Sequence, residues 1–496
     1  MTVNYDREEF RKYLQESGAV EALSRTFLKL YELKENRPKS SIKFIQDRIT
    51  DSVPSVTEYA KLKDDLNAMG VILRELKTKG KLDPAHLTVF DKIGTNFDTL
   101  DFLGDKGHPR LSARHSQIAE GHQWKKDSKK IASTREDQSD DIKMSNKIKA
   151  FLSNPSHKSL LRAHLNDTIY NNYKKVTVGS SGHTTSFIDC ICSGLDFPES
   201  AIGVYATDAE AYNKFEDLFK PIIKAYHGYD TASERHPGLD WGNPTTLDNI
   251  DTTSTYICWT RIRCVRNVDK QPLVPKMNEN ELTTLCSNIQ QVFEKNLTAD
   301  EIKGHWYGLE TVDPAKKKEL IDKNYILEFG DKFLESVGAT EHWPKGRAVY
   351  INDNETFFVW INEEDHLRFI SMESGSKISD IYGRLVRALE AVANGLTFQR
   401  DANDTLGFVS LCPTNLGNTI RASVMVKLPK LIKQMGAKNS ELDKLINTHN
   451  FEIRPTKSDK ETIEISNKRK LGITEFDSIK KFWAGIKEII EKEKTS

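Results

Sequence analysis

The sequence lacks the features that mark membrane, secreted or nucleic-acid-binding proteins. Its 496 residues contain no apolar run of membrane-spanning length, and residues 1–6 are polar, so we expect no secretory signal. Lysine plus arginine and aspartate plus glutamate balance at 72 each, so no net field draws the chain to nucleic acid or to a membrane surface. We therefore expect a cytoplasmic protein in which any anion site is built locally from clustered arginines.

Cysteine is also scarce, since six cysteines are spread along the whole chain, which suits a reducing compartment. Cys190 and Cys192 form a close pair, but no second cysteine or histidine pair has zinc spacing. We expect this pair to pack in a core and to bind no metal. A glycine-rich loop of the P-loop kind is missing too, so side chains would have to carry any bound phosphate.

One stretch, residues 407–428, predicts two strands joined by a turn. Residues 407–411 read as extended, and Pro413, which cannot donate to a strand ladder, marks the end of that strand. Residues 420–428 alternate apolar and polar, as a half-buried strand does. Cys412 would therefore lie at a strand tip with Arg421 on the return strand. A thiolate beside a positive charge is the expected state of such a cysteine.

A second stretch, residues 356–372, predicts a hairpin with an acidic tip. Glu363, Glu364 and Asp365 crowd three carboxylates into the turn, and Arg368 follows on the return strand. One interpretation is a solvated hairpin tip. The other interpretation is that one of these carboxylates binds a cationic substrate.

These two stretches resemble the signatures of the phosphagen (guanidino) kinase family. The runs Cys-Pro-Thr-Asn-Leu-Gly at 412–417 and Asn-Glu-Glu-Asp-His-Leu-Arg at 362–368 carry the resemblance, which extends from about residue 148 to the C-terminus. Further matching runs are residues 260–264, 415–429 and 465–469, and those that resemble arginine kinases in particular are 187–191 and 200–210. Several motifs in one order imply a common fold and activity.

The implied fold class is α+β: a small helical domain, then a large antiparallel sheet flanked by helices, preceded by an all-α N-terminal module. The expected domains are a docking module at 1–106, a linker at 107–145, a helical domain at 146–245 and a catalytic domain at 246–496. The expected strands are 256–265, 347–351, 356–361, 367–372, 407–411, 421–428 and 452–453, with helices at 280–294, 379–393 and 475–492. Tight turns between adjacent strands favour an antiparallel sheet.

The resemblance implies reversible transfer of the γ-phosphate of Mg²⁺-bound ATP to the guanidino group of L-arginine or a related compound. Glu364 matches the family's catalytic glutamate, and Cys412 would position the substrate as a thiolate. The specificity loop, with Ser200, Ile202, Gly203 and Tyr205, would hold the amino-acid end of the substrate.

Five arginines match the family's phosphate-binding residues: Arg261, Arg263, Arg368, Arg421 and Arg454. Planar guanidinium groups suit phosphate oxygens. Strand alternation places Arg261 and Arg263 on one face of the strand, which isolated surface salt bridges would not require. Asn324 and Met425 occupy the positions of two histidines that contact adenine in the family, so we expect altered nucleotide binding.

The sequence departs from the family pattern in the loop after Arg454. This loop is shorter than in the family and carries Pro455, which stiffens the hinge of a substrate-closing lid. Its substrate carboxylate would be Asp459, or Glu461 if the deletion lies elsewhere. Glu199 and Lys332 keep the charge signs of a pair that bridges the two domains in arginine kinases. These departures leave a second hypothesis open, a degenerate kinase retained as a scaffold.

The N-terminal region resembles the c-Myc-binding-protein family, whose members are small helical adaptors, some associated with flagella. The run Phe-Arg-Lys-Tyr-Leu-Gln-Glu-Ser-Gly at 10–18 and the leucines that follow carry this resemblance. Apolar residues from 59 to 76 then follow heptad spacing, which fits either a lone amphipathic helix or an intermolecular coiled coil. We expect this module to dock the chain to a protein partner, for example at a cilium or flagellum.

Overall fold

The computed structural model describes residues 134–179, 183–326, 331–436, 440–456 and 459–496. The chain divides into two units, Met1–Gln138 and Ser139–Ser496, and the description below concerns the second. The expected N-terminal docking module, its heptad segment and most of the expected linker lie outside the described residues. None of the described helices is both long and apolar enough to cross a lipid bilayer.

The described residues contain helices and strands in the following order. The helices are α1 (Thr134–Ser153), α2 (Leu160–His164), α3 (Asp167–Tyr173), α4 (Phe187–Asp196), α5 (Ala211–Lys214), α6 (Glu216–His227), α7 (Glu279–Asn296), α8 (Pro314–Asp322), α9 (Lys332–Ser336), α10 (Ile378–Ala393), α11 (Pro429–Lys433), α12 (Glu441–Thr448) and α13 (Glu475–Thr495). The strands are β1 (Thr177–Val178), β2 (Thr185–Ser186), β3 (Ile257–Arg266), β4 (Gly304–Gly308), β5 (Ala348–Asn352), β6 (Phe357–Ile361), β7 (Leu367–Ser374), β8 (Arg421–Lys427), β9 (Phe451–Pro455) and β10 (Thr462–Asn467).

The first part of the second unit is helical, as the sequence predicts. Helix α4 begins with a capping box, in which Ser186 and Asp189 satisfy each other's backbone amides. Its buried Phe187 meets Phe215 edge to face, with ring centroids 5.2 Å apart. Cys190 is fully buried in the same cluster, which confirms the expected core packing of that cysteine.

The second part is built on an eight-stranded sheet in the order β4-β5-β6-β7-β3-β8-β10-β9, with every neighbouring pair antiparallel. The prediction of a large antiparallel sheet flanked by helices is confirmed. One face of the sheet is apolar and packs on helices α7, α10 and α13. All five alternate residues predicted for the buried face of β8, from Ile420 to Leu428, are fully buried.

The opposite face of the sheet is divided between two kinds of residue. Near β5, β6 and β7, a smaller apolar cluster that includes Phe358 and Ile370 is packed against the region of α8 and the residues that follow it. Beyond that cluster, towards β3, β8, β10 and β9, this face carries charged side chains.

One local strand prediction is wrong, and two strands were missed. Residues 407–411 form no strand: Gly407 and Phe408 make only isolated bridges, with Gly417 and Arg400, and the carbonyl of Leu411 accepts from Ala206 instead. Strand β4 and strand β10 were not predicted. Strand β4 is a half-buried edge strand bounded by glycines, so its apolar alternation is weak.

Candidate active site

The charged face of the sheet gathers all five arginines singled out by the sequence. Arg263 on β3 lies directly opposite Arg421 on β8, and Val265 lies opposite Arg368 on β7. Arg454 on β9 pairs in register with Glu464 on β10, which in turn lies opposite Met425. Residues that face each other across neighbouring strands point to the same side of the sheet. The scattered arginines therefore converge on one surface.

Four of these arginines have a buried Nε atom without a hydrogen-bond partner: Arg261, Arg263, Arg368 and Arg421. A buried donor left unpaired costs free energy, so four on one surface need an explanation. Burial, with Arg261, Arg421 and Arg368 close by, holds the pKa of Arg263 well below its usual range. A polyanion placed on this face would satisfy the donors and relieve the repulsion between the cations.

Glutamates pair with two of the arginines at the side of β10 and β9. Arg261 donates to Glu464 at 2.6 Å, and Arg421 lies 3.2 Å from Glu452. Burial alone would raise the pKa of Glu464, but Arg261 brings it below the usual value. These pairs hold the guanidinium groups in fixed positions before any ligand binds.

The acidic hairpin tip lies beside Arg368 and is largely buried. The side chains of Glu363 and Glu364 are only 12% and 14% exposed, so the interpretation as a solvated tip is wrong. Arg368 lies 3.0 Å from Glu363 and forms a close ion pair with Glu364. Burial, reinforced by the neighbouring carboxylates and opposed by Arg368, raises the pKa of Glu364 to about 7. A carboxylate with a pKa near 7 is well matched to general-base work at neutral pH.

Asp365 joins the hairpin tip to the segment that carries Cys412. Its Oδ1 accepts from the side chain of Asn267 at 2.7 Å and from the backbone N–H of Leu411 at 2.8 Å. Its Oδ2 accepts from the hydroxyl of Ser410 at 2.9 Å. Asp365 is only 1% exposed, so these bonds are shielded from water. The third acid of the turn thus positions the loop, while Glu363 and Glu364 lie beside Arg368.

Cys412 lies next to Glu364, in surroundings that disfavour the thiolate predicted from the sequence. Burial, followed by the Glu364 carboxylate, raises the pKa of the Cys412 thiol to about 12. The sulfur contacts the hydroxyl of Thr414 at 3.1 Å. Both burial and the Glu364 carboxylate therefore disfavour the expected thiolate in these surroundings.

The specificity loop lies against the cysteine segment. The backbone N–H of Ala206 donates to the carbonyl of Leu411 at 2.8 Å. Burial raises the pKa of Tyr205, and Cys412 and Glu364 add to the effect, which places the phenol near both groups. Gly203 has a φ of +79°, and a Cβ there would meet Leu161 at 2.7 Å, so only glycine fits. The structure thus brings Tyr205, Cys412 and Glu364 together.

The other two residues of this loop singled out by the sequence are held by protein contacts. Ser200 is buried, and its hydroxyl accepts from the N–H of Gly203 at 3.1 Å. Ile202 is buried, and its carbonyl accepts from the N–H of Leu161 at 3.0 Å. The loop therefore has a fixed shape beside the cysteine segment.

The structure does not bring the lid carboxylates to Glu364. Asp459 is exposed and accepts from Thr462, and Glu461 lies 3.5 Å from Lys427. Lys427 ends β8, six residues from Arg421, or about 20 Å along an extended strand. Both candidate carboxylates therefore lie at the far end of the arginine face.

The two residues at the histidine positions are both described by the structure. Met425 lies on the arginine face, 36% exposed. Asn324 follows α8 in a left-handed conformation, with φ of +59°. The expected contact between Glu199 and Lys332 is present as a close hydrogen bond.

Sequence reasoning missed several side chains that shape the site. Asn415 donates to Glu364 at 3.4 Å, and the roles of Glu363, Glu452 and Glu464 as arginine partners were not foreseen. Asn415 was part of a quoted motif, but its partner lies 51 residues away in sequence. The alternation of β10, had it been recognised, would have placed Glu464 and Ser466 on one face.

The chain is similar to known proteins along most of its length. Residues 284–496 match the profile of the C-terminal catalytic domain of ATP:guanido phosphotransferases, and residues 155–224 match that of their N-terminal domain. Residues 4–82 match the profile of the c-Myc-binding protein. These matches confirm both resemblances drawn from the motifs.

Individual relatives agree with the profiles. The chain is 40% identical to arginine kinase 1 of Drosophila melanogaster over 344 residues, which are 68% of this chain and 94% of that protein. It resembles the structure of the substrate-free duplicated taurocyamine kinase of Schistosoma mansoni with a TM-score of 0.64 at 28% identity, covering 70% of this chain and 49% of that one. Lombricine kinase is similar with a TM-score of 0.60 at 25% identity, covering 68% and 93%.

Proposed function

The chain belongs to the ATP:guanido phosphotransferase family, and from that premise we propose that it catalyses reversible phosphoryl transfer between ATP and L-arginine. That it is a phosphotransferase acting on a guanidino group follows from the family. L-arginine is the favoured acceptor because the sequence follows the arginine kinase pattern in the specificity loop and is 40% identical to an arginine kinase. One observation carries the proposal. A single face of the sheet holds four arginines whose buried Nε atoms have no hydrogen-bond partner, and Glu364, with a pKa raised to about 7, lies at the edge of that face.

The arginine face would bind the phosphates of ATP. The phosphoryl group in transfer carries charge on several oxygens at once, so catalysis depends mainly on positioning and charge stabilisation. The orphaned Nε atoms of Arg261, Arg263 and Arg421 fit phosphate oxygens, and Arg368 connects this surface to the acidic tip. Arg454, opposite Glu464, extends the basic surface to the outer strand.

Mg²⁺ would enter with the nucleotide. Among the described residues, no group of three or more His, Cys, Asp or Glu side chains is placed to hold a metal ion. Mg²⁺ in such reactions is commonly held by substrate phosphates and water, where it neutralises developing charge. The arginine side chains of the sheet face would bind the phosphates of Mg-ATP, and the metal ion would be held by those phosphates.

Glu364 would orient the guanidino group and accept its proton. A guanidino nitrogen attacks the γ-phosphorus, the bond from phosphorus to the bridging oxygen of ADP breaks, and the nitrogen's proton passes to a carboxylate oxygen of Glu364. A pKa near 7 allows that oxygen to take the proton and release it in the reverse reaction. Asn415 and Arg368 fix the orientation of this carboxylate.

Cys412 and Tyr205 would line the acceptor end of the site. Both lie close to Glu364, and the bond from Ala206 to Leu411 holds their two segments together. A neutral thiol at Cys412 would contact the non-reacting guanidino nitrogens as a weak acceptor, without any covalent step. Fixed alignment of the two reactants can supply much of the rate.

A coupled assay of ADP formation tests the proposal directly. Purified full-length protein with Mg-ATP should turn over L-arginine faster than taurocyamine, lombricine or creatine. A ranking that places another guanidino compound first would change the substrate and keep the reaction class. Folded protein that forms no ADP with any of the four would overturn the proposed activity.

A second candidate function is a kinase-derived scaffold that binds nucleotide without turnover. The positions of Asp459 and Glu461 at the far end of the sheet favour it, since neither lid carboxylate lies near Glu364. The connection between β9 and β10 is also short, which restricts closure. Calorimetric binding of Mg-ATP together with absent turnover would support the scaffold over the enzyme.

The N-terminal region would act as a docking module in the cytoplasm, at a cilium or flagellum. The support is the match of residues 4–82 to the c-Myc-binding-protein profile, in a family of helical adaptors. In this proposal residues 1–106 dock, 107–145 link, and 146–245 and 246–496 form the two kinase domains. Deleting residues 1–106 should abolish localisation and leave turnover intact. Unchanged localisation of the shortened protein would refute the docking role.

A further inference from the structure

Lys470 carries a buried amine that the proposed mechanism does not use. Its side chain is 1% exposed and is among the largest that are fully buried in the described part of the chain. Within those described residues, its Nζ makes a single hydrogen bond, to the carbonyl of Lys468 at 3.2 Å, and no ion pair. An ammonium group has three donors, so burying it with one partner disfavours its charged form.

The segment of Lys470 is fixed against residues 412–417. Gly417 has a φ of +94°, and a Cβ there would lie 2.4 Å from the carbonyl oxygen of Lys470, so only glycine allows this approach. The buried ring of His227 on α6 joins the two segments. Its Nδ1 accepts from the N–H of Lys470 at 3.4 Å, and its Nε2 donates to the carbonyl of Pro413 at 2.9 Å. The amine therefore occupies a fixed place beside the proposed acceptor end of the site.

Arginines of the proposed phosphate site also lie near this amine. Burial lowers the pKa of Lys470 to about 7, and Arg421 on β8 and Arg263 on β3 add to the effect. Glu452 on β9 and Cys412 act in the opposite direction. Near pH 7 the amine is therefore present in both its neutral and its charged form.

Tyr226 on α6 connects the amine to one of these arginines. Its ring centroid lies 5.8 Å from the Nζ of Lys470 and 5.1 Å from that of Lys468. Its hydroxyl donates to Glu452 at 2.9 Å, and Glu452 lies 3.2 Å from Arg421. A change of charge at Arg421 would thus be felt at the amine through a short, buried path.

Two neighbours of the amine should keep their charge between pH 7 and pH 9. Burial, followed by Lys470, lowers the pKa of His227 to about 3, and Arg469 adds to this lowering. Burial, followed by Glu364, raises the pKa of Cys412 to about 12. Glu364 itself, with a pKa raised to about 7, is the group whose proton has to be distinguished from that of Lys470.

We propose that Lys470 is a switchable cation of the phosphate site, neutral above pH 7 when the arginine face is empty and protonated when phosphates are bound there. The inference rests on the proposed binding of nucleotide phosphates by that face. Bound phosphates would place negative charge beside Arg421 and Arg263 and offset the repulsion that disfavours the charged amine. The neutral amine would take up one proton from the buffer, and it would return that proton when the phosphates leave.

Proton uptake on binding tests the proposal directly. Calorimetry of the full-length protein at pH 8, without a guanidino acceptor and in two buffers of different ionisation enthalpy, would count the protons taken up with Mg-ATP. Wild type should take up about one half to one proton more than Lys470→Arg, whose guanidinium is always charged. Both proteins contain Glu364, so its contribution cancels in the comparison. Inorganic tripolyphosphate with Mg²⁺ should give the same difference, because the phosphates cause the uptake.

The affinity for ATP should change with pH accordingly. A group that gains a proton on binding makes the affinity fall as the pH rises above its pKa in the free protein. From pH 7 to pH 9 the affinity of wild type should fall by roughly 5- to 50-fold more than that of Lys470→Arg. Lys470→Met, which removes a buried charge and should fold, is expected to show the same weak pH dependence as Lys470→Arg at a lower affinity.

Lys468→Met is a matched control. It removes a half-buried amine from the same tyrosine ring and should leave the proton count and the pH dependence of affinity unchanged. Equal proton counts in wild type and Lys470→Arg would overturn the proposal, as would a count that Lys470→Met preserves or that Lys468→Met abolishes. Uptake with Mg-ATP but none with tripolyphosphate would also overturn it.

Binding and turnover together separate this inference from the proposed activity. Turnover with L-arginine, combined with equal proton counts in wild type and the Lys470 variants, would remove only the switchable cation. Proton uptake that depends on Lys470 without any turnover would remove only the kinase activity. A folded protein that binds neither Mg-ATP nor tripolyphosphate would overturn both.

Discussion

Replacing Glu364 with glutamine should produce two opposite effects, a loss of turnover and a gain in stability at neutral pH. The substitution keeps the shape of the side chain but removes the proton acceptor. General-base groups contribute about 10²- to 10⁴-fold to rate, so we expect turnover to fall by at least 10²-fold. The coupled assay of ADP formation would measure this loss.

The gain in stability follows from the raised pKa of Glu364. The pKa of Glu364 is 4.5 in the unfolded chain and about 7 in the folded protein. At about 1.36 kcal/mol per pH unit, this difference corresponds to about 3 kcal/mol of stability. Below pH 4.5 the carboxyl is protonated in both states and costs nothing. Between pH 4.5 and pH 7 the unfolded chain ionises while the folded carboxyl stays protonated, so the wild type loses this stability as the pH rises, and the loss is complete above pH 7. The neutral amide of the Glu364→Gln variant does not ionise, so the variant should gain up to about 3 kcal/mol over wild type above pH 7 and little near pH 4.5.

Urea unfolding at pH 5 and pH 8 would measure that difference. Glu373→Gln is a matched control, since Glu373 lies on β7, the strand that follows the turn with Glu364, and pairs with Arg384 at 2.8 Å, away from the site. It should lose stability modestly and leave turnover unchanged. If Glu364→Gln kept turnover within tenfold of wild type, or if its stability difference were the same at both pH values, the reasoning would be refuted.

Three further substitutions probe the rest of the site. Asp365→Asn places an amide N–H group against groups that donate hydrogen bonds to Asp365. It should therefore destabilise the protein by about 2–4 kcal/mol and raise the KM for the guanidino substrate. Unchanged stability in urea unfolding would contradict this. Arg263→Gln removes a buried cation that lies among other cations, so the midpoint of thermal unfolding should rise. Calorimetry should show that the variant binds ATP at least tenfold more weakly. A lower unfolding midpoint would show that repulsion between the arginines does not destabilise the fold. Burial, followed by Arg421, lowers the pKa of Lys470 from 10.5 to about 7, so its charged form destabilises the fold below pH 7 and this cost declines as the pH rises towards 10.5. Lys470→Met should therefore stabilise the protein by several kcal/mol at pH 6 and by less at pH 9, and an advantage that does not shrink with pH would refute the assignment.

The sequence by itself determined the class of fold and the positions of the main sheet strands. Strands β3, β6, β7 and β8 lie within two residues of their predicted bounds, because their apolar alternation is long and uninterrupted. The motifs at 362–368 and 412–417 also determined which residues to compare with the guanidino kinases. Alternation further placed Arg261 and Arg263 on one face without any tertiary information.

Only the tertiary structure decided the chemical state of those residues. Glu363 and Glu364 look solvated in the sequence and are buried in the fold, because the burial of a turn depends on segments far away in the chain. Cys412 looks like an activated thiolate in the sequence, whereas in the fold burial and Glu364 raise the pKa of its thiol, since its neighbours come from other elements. The local sequence pattern specifies where strands and turns form. The pKa values depend on burial and on nearby charges, and these come from segments that are distant in the sequence, so the local pattern does not predict them.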